Sequence, residues 1–259
     1  MTHHPHLNYD NIAPEYNQRY DSSLVPERAN ALISLIQQVK ARRILEVGCG
    51  TGFWLNLLAS RVKAACGLDY SSGMLEQAKR QPSPLELLRG DAIHLPYQDN
   101  LFDLVYCVDA IHHFGKPDVF IFEAFRVLRP GGALAVVGSD PHSGDDTWYV
   151  YEYFEEVLET DLQRFPSEVA ILTWMRGEGF QNILSKGIEH ISDVHFGTDV
   201  FNDPFLKKNS CSQLALLSDK AYQAGLEKIK VAAASEEQVV FRNELFIKMF
   251  TGFKPGAGL

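Results

Sequence analysis

From residue 43 onward, short apolar runs alternate with amphipathic stretches. Arg43–Val47, Val62–Leu68, Leu85–Leu88, Phe102–Val108 and Ala133–Gly138 are near-continuously apolar, which predicts strands covered on both faces. Between them, Gly52–Arg61, Gly73–Arg80 and Pro117–Leu128 read as helices. Strands separated by crossover helices imply a parallel sheet, and the right-handed crossover rule makes a doubly wound α/β domain the expected architecture. Upstream, Pro26 is expected to open a helix over Glu27–Lys40, with Ala29, Leu32, Ile33 and Ile36 at helical spacing.

The rhythm changes after residue 139. Ser139–Asp146 reads as a loop, Trp148–Phe154 as an aromatic helix, and Pro166–Gly179 as a sheet-covering helix stopped by glycine. Ile183–Ile191 is an expected strand, Thr198–Ser235 is expected to be mainly helical, and Val239–Phe250 alternates like a final strand. The expected division is therefore cap helices over 1–42, a ligand-binding core over 43–140, a substrate-recognising helical lid over 141–238, and a closing strand within 239–259. Trp148, Tyr149, Tyr151, Tyr153 and Phe154 cover too much of a helix circumference for one core face, so one or two are expected to wall a pocket.

Composition narrows the options. At 259 residues with 46 % hydrophobic content, the chain suits one large domain or a domain carrying an insertion. Its 33 acidic against 24 basic residues give a charge of −9 and no basic footprint for nucleic acid. Cys49, Cys66, Cys107 and Cys211 form no CxxC pair, so free thiols in a reducing cytoplasm are expected and a metal site is not. His3, His4 and His6 read as part of a frayed polar end. Met1–Asn11 lacks a signal-peptide core, and no apolar stretch approaches the roughly 20 residues that span a bilayer.

The chemistry concentrates at strand ends. In Ile44-Leu45-Glu46-Val47-Gly48-Cys49-Gly50-Thr51-Gly52 a strand runs into a glycine turn and then a helix, so backbone can approach a ligand closely. The pattern is Glu-x-Gly-x-Gly-x-Gly, unlike the dinucleotide fingerprint, and an acidic strand residue suits a cationic ligand better than a pyrophosphate. Asp69, at the tip of the second strand, is placed to accept from ribose hydroxyls. Asp91, after the third, could accept from an exocyclic amine such as that of adenine. The bland alternative for each carboxylate is helix capping, which does not explain them together with the glycine turn.

These blocks resemble the class I S-adenosylmethionine-dependent methyltransferases, especially the branch of the ubiquinone and menaquinone C-methyltransferases. The matching stretches are ILEVGCGTG (44–52), GLDYS (67–71), GDAIHLPY (90–97), FDLVYCVDAIHHF (102–114) and VLRPGGALAVV (127–137), with a looser match over Tyr9–Tyr20. The resemblance implies a Rossmann-like sheet of about seven strands with an antiparallel last strand, binding S-adenosyl-L-methionine and releasing S-adenosyl-L-homocysteine. It implies that Gly48, Cys49, Gly50 and Gly52 line the methionine moiety and that Glu46 holds its ammonium group, directly or through water. Asp69 would bind the ribose, with Tyr70, Met74, Asp91 and Ala92 around the adenine. Cys107 and Val108 would floor the pocket beneath the sulfonium, and Tyr16 would close over it.

Methyl transfer from a sulfonium is an in-line displacement in which positioning and a base for the acceptor's proton supply most of the catalysis. The candidate bases are His112 and His113 after the fourth strand and His142 after the fifth; packing is the competing role for the pair, and a solvated turn for His142. Asp109 is a further candidate, or a cap for the turn beginning at Ala110. The expected reaction is transfer to an oxygen, nitrogen or activated carbon of a small molecule. The rivals are a nicotinamide-dependent oxidoreductase, a protein or RNA methyltransferase, and a catalytically idle cofactor-binding regulator. Against the second stands Val108-Asp109-Ala110-Ile111, which is no NPPY-type tetrapeptide.

Overall fold

The computed structural model describes residues 8–13, 16, 27–235 and 239–256. Pro26, Tyr20 and the three N-terminal histidines lie outside the described residues. Along the chain run α1 (Glu27–Gln38), β1 (Arg43–Val47), α2 (Phe53–Ala59), β2 (Ala64–Asp69), α3 (Ser72–Ala78), β3 (Glu86–Arg89), β4 (Phe102–Val108), α4 (Pro117–Val127) and β5 (Leu128–Gly138). Then follow β6 (Thr147–Trp148), α5 (Tyr149–Tyr153), α6 (Val157–Arg164), α7 (Glu168–Glu178), β7 (Gln181–Phe196), α8 (Ser212–Ala215), α9 (Asp219–Ala233) and β8 (Val240–Phe253), with single 3-10 turns between.

β3, β2, β1, β4 and β5 pair in that order and in parallel, because each is joined to the next by a crossover rather than a hairpin. Their apolar side chains point alternately into two layers. Leu45, Val47, Val105 and Val136 pack toward α4 and α7, whereas Ile44, Leu104, Ala133 and Val137 pack toward α1 and α2. β8 lies antiparallel to β5, which delivers the expected reversed last strand. The sheet has eight strands rather than seven, because the two-residue β6 pairs with Asn243 and Glu244 of β8.

β7 and β8 are far longer than the parallel strands. Gly138, the end of β5, pairs with Lys248, so the part of β8 from Val240 to Ile247 runs on past the carboxyl edge of the parallel sheet. β7 follows it along the whole length, making an arm of about 25 Å beyond Gly138, to which β6 adds a short third strand. Where the arm leaves the sheet, the β7 register shifts between Gly187 and Glu189, a bulge of the kind that bends a strand.

A satellite core sits on that arm. Tyr149, Val150, Phe154, Val157, Val200, Leu214, Ile229 and Phe241 are buried together in it. This corrects the expectation for the aromatic segment. Trp148 is a strand residue, the helix spans only Tyr149–Tyr153, and Trp148, Tyr149 and Phe154 are buried in the satellite core with Tyr151 and Tyr153 half-buried against it. Phe154 stacks on Tyr222, Tyr149 meets Phe241 edge-on, and the Tyr149 hydroxyl donates to Asp203 at 2.7 Å. Several elements, not one, cover the circumference of α5.

Candidate functional site

The carboxyl ends of β1, β2 and β4 converge on the glycine turn. Gly48, Gly50 and Gly52 all have positive φ, at +72°, +52° and +73°. A Cβ on Gly48 would come within 2.7 Å of Ala110 Cβ, so the turn after β4 closes directly over it. A Cβ on Gly50 would meet nothing within 4 Å: here the backbone faces open space. Cys49 is buried, and burial pushes its thiol well above its ordinary range.

Glu46 lies beside Gly67 on one neighbouring strand and Tyr106 on the other. Its side chain is wholly buried, the Tyr106 hydroxyl donates to Oε2 at 3.2 Å, and Oε1 has no hydrogen-bond partner among the described residues. Burial raises its carboxyl well above the usual range, with the nearby charge of Asp69 adding to the effect. Gly67 has no room for a side chain, since a Cβ there would drive into Cys49 and Leu55.

Asp69 holds the turn together: Oδ2 accepts from the Gly50 amide at 2.7 Å and Oδ1 from the Ser71 amide at 2.8 Å. Burial raises its carboxyl, and these amides oppose the shift. Each oxygen retains lone-pair capacity for a further donor. Ser71 caps α3 through the Met74 amide at 3.1 Å, Met74 is buried beneath it, and Tyr70 is 72 % exposed. Asp91 accepts from the Ile93 amide at the exposed end of β3, while Ala92 is buried.

An N-terminal segment lies across this end of the sheet. Asp10 Oδ1 accepts from the Ser71 hydroxyl and the Gly73 amide, both at 2.6 Å, and a Cβ on Gly73 would collide with Asp10. Ile12 and Ala13 bury Met74, with Tyr9 and Tyr16 packed alongside, their rings 6.1 Å apart. Tyr16 thus stands with the segment over α3. Tyr9 reaches further, placing its hydroxyl 2.7 Å from His113 Nε2.

The three candidate histidines gather around Phe165. His112 stacks on its ring at 3.8 Å between centroids, His113 lies 3.9 Å from His112, and His142 Nε2 is 2.9 Å from the Phe165 carbonyl. A carbonyl only accepts, so His142 donates from Nε2. It is exposed and belongs to a 3-10 turn rather than to the glycine turn. Burial, reinforced by His113 and Arg164, keeps His112 well below its usual range and neutral. Arg164 Nη2 lies 3.3 Å from His113 Nδ1; a guanidinium only donates, so Nδ1 accepts and Nε2 carries the proton toward Tyr9.

The Cys107 side chain is buried in the core layer toward α4, and Val108 lies in the opposite layer. One other expectation needs correction. Asp109 does not cap the turn at Ala110: it sits at φ +49° and binds Arg28 at 2.6 Å, and Arg28 also pairs with Glu189 on the β7 arm. Tyr9, Asp10, Arg28 and Arg164 were missed as individual site residues; only the first two lay in a noticed motif. No three or more His, Cys, Asp and Glu side chains among the described residues group as metal ligands, and no helix among them is long and apolar enough to cross a membrane.

Residues 45–136 match a family model described as a methyltransferase domain. A demethylmenaquinone methyltransferase of Renibacterium salmoninarum is 28 % identical over 171 residues, 64 % of this chain and 72 % of that protein. A fatty-acid O-methyltransferase of Mycolicibacterium smegmatis is 38 % identical over 114 residues, 42 % of this chain and 42 % of that protein. In fold, the chain is similar to a methyltransferase-type protein from an antibiotic biosynthesis pathway of Anabaena variabilis, with a TM-score of 0.70, 21 % identity, and coverage of 92 % of this chain and 99 % of that one.

Proposed function

With residues 45–136 a class I S-adenosylmethionine-dependent methyltransferase domain akin to the menaquinone and ubiquinone branch, we propose that the protein methylates an oxygen, nitrogen or activated carbon of a small molecule. The observation that carries this reading is Glu46: a buried carboxyl at the glycine turn with Oε1 lacking a partner fits a cationic ammonium group. The open space at Gly50 fits the chain between that ammonium and a nucleoside. Asp69 is set for ribose hydroxyls, with Met74, Tyr70, Asp91 and Ala92 around the base and Tyr16 above.

When bound, S-adenosylmethionine supplies a methyl group already activated on a sulfonium. The protein's part is to orient the acceptor, exclude water and receive a proton where the acceptor loses one. The turn after β4, closed over Gly48 and covered by the Tyr9 segment, performs the first two tasks. His113 is the proposed proton acceptor, its Nδ1 lone pair passing from the Arg164 donor to the acceptor's proton, because His112 is held neutral by packing and His142 is engaged at the surface. Section 141–238, built on the β7–β8 arm, is the proposed acceptor-recognising region.

Thermal unfolding with and without S-adenosylhomocysteine or NAD tests the cofactor assignment: the former raises Tm and the latter does not, and the reverse result sinks it. Incubation with methyl-labelled cofactor and a metabolite extract tests transfer. His113→Ala is expected to slow product formation while sparing S-adenosylhomocysteine binding, and an unchanged rate would leave positioning as the whole of catalysis. Tight binding with no labelled product would instead make the chain an idle regulator.

A further inference from the structure

Resting on that reading, we propose that Arg164 is the acceptor-binding residue, and that the methyl acceptor carries a carboxylate which docks on its guanidinium beside His113. The side chain of Arg164, the last residue of α6, is only 5 % exposed. Arginine is tolerated in an interior when its donors are met, and a donor left unmet there loses its hydration for nothing. Nη2 is served by His113 Nδ1 at 3.3 Å and Ser212 Oγ at 3.2 Å. Nη1 is not: its nearest charge is Asp161 Oδ1 at 3.6 Å, beyond hydrogen-bond range, and neither atom has a hydrogen-bond partner among the described residues.

Asp161 is a weak counter-ion for this cation. It is fully buried, its other oxygen is taken by the Tyr151 hydroxyl at 3.1 Å, and burial pushes its carboxyl up to about 6. The guanidinium is therefore a buried positive centre with an outstanding donor, in contact with the histidine that borders the glycine turn.

The position suits an acceptor. His113 follows β4 in the turn that closes over Gly48, and its far nitrogen meets Tyr9, whose neighbour Asp10 is anchored on the first turn of α3. An oxygen held on Arg164 would sit one side chain from that junction, at the carboxyl edge where the parallel strands end. The N–H groups of Nη1 remain to donate to a carboxylate oxygen. Asp161, 3.6 Å away, would repel a second negative charge, which disfavours a phosphate dianion.

The test separates a metabolite extract on an anion exchanger before incubation with methyl-labelled cofactor, with S-adenosylhomocysteine affinity measured in parallel. Labelled product is expected from the retained fraction, with or without prior phosphatase treatment. Arg164→Gln should lower its formation about tenfold or more at limiting acceptor without changing S-adenosylhomocysteine affinity. Arg164→Lys, which keeps the charge on a single nitrogen, should recover part of the rate, and it carries the comparison should the glutamine variant fail to fold. Label confined to the unretained fraction, label abolished by phosphatase, or variants as fast as the original protein would overturn the carboxylate assignment and leave methyl transfer intact. Absence of S-adenosylhomocysteine binding would overturn the methyltransferase reading instead.

Discussion

Replacing Glu46 by glutamine keeps shape and removes charge, and its consequences are opposite for the empty and the loaded protein. The folded carboxyl is raised well above its ordinary 4.5 by burial. Between that ordinary value and the raised one, the folded chain keeps a proton the unfolded chain has lost. Stability from this group is thus complete below the ordinary value and declines as pH rises through the window. Glu46→Gln should erase that decline and raise the Tm of the free protein at pH 8. A ligand ammonium on Oε1 favours the ionised form, so binding within that window should release a proton, and affinity should grow with pH across it. A hydrogen bond to a charged group contributes about 1.5–3 kcal/mol, so the variant should bind S-adenosylhomocysteine about ten- to a hundredfold more weakly. Titration calorimetry in two buffers of different ionisation enthalpy reads both the affinity and the proton. Equal affinity of the two proteins at pH 8, or binding without proton release, would refute the role given to Oε1.

Asp69→Ala removes the acceptors that fix the Gly50 and Ser71 amides and the proposed ribose contact, and should weaken S-adenosylhomocysteine binding by about 1–3 kcal/mol; calorimetry showing unchanged affinity would contradict the strand-tip argument. Gly225→Ala places a Cβ 2.2 Å from Phe154 Cδ1, so the satellite core should lose about 1–3 kcal/mol to overpacking. Hydrogen exchange should report that loss in α5 and α9 while β1 and β2 stay protected; uniform loss would mean the two cores unfold as one.

Legibility in the sequence followed how local the determining interaction is. β1, β2 and β4 were readable because strands buried on both faces are apolar almost throughout, and Glu46 stood out among the few charged residues in them. β5 was expected only from Ala133, since Arg129-Pro130-Gly131-Gly132 reads as a turn, yet Leu128 already pairs with Phe102 across an irregular register. β7 extends beyond the expected Ile183–Ile191 to Gln181–Phe196 because its half-exposed face admits serine, histidine and aspartate. Trp148 was misplaced into a helix because its strand partner, Asn243, is distant in the chain. The glycine turn and Asp69 were visible in the sequence, being fixed by strand-turn-helix order. The pairing of Arg28 with Asp109 and Glu189, and of Arg164 with His113, leaves no local trace.

The bulge at Gly187–Glu189 sets a rule of parity. Strand side chains alternate faces, so adding or deleting one residue of β8 beyond this joint would turn Phe241 and Asn243 outward together and take Phe241 out of the satellite core. Insertions of two residues preserve the alternation and lengthen the arm by about 7 Å. A chimera cut between Gly187 and Lys248 on the two strands could therefore exchange the acceptor-recognising section for another while β1 to β5 keep their register, provided the graft is counted in even steps.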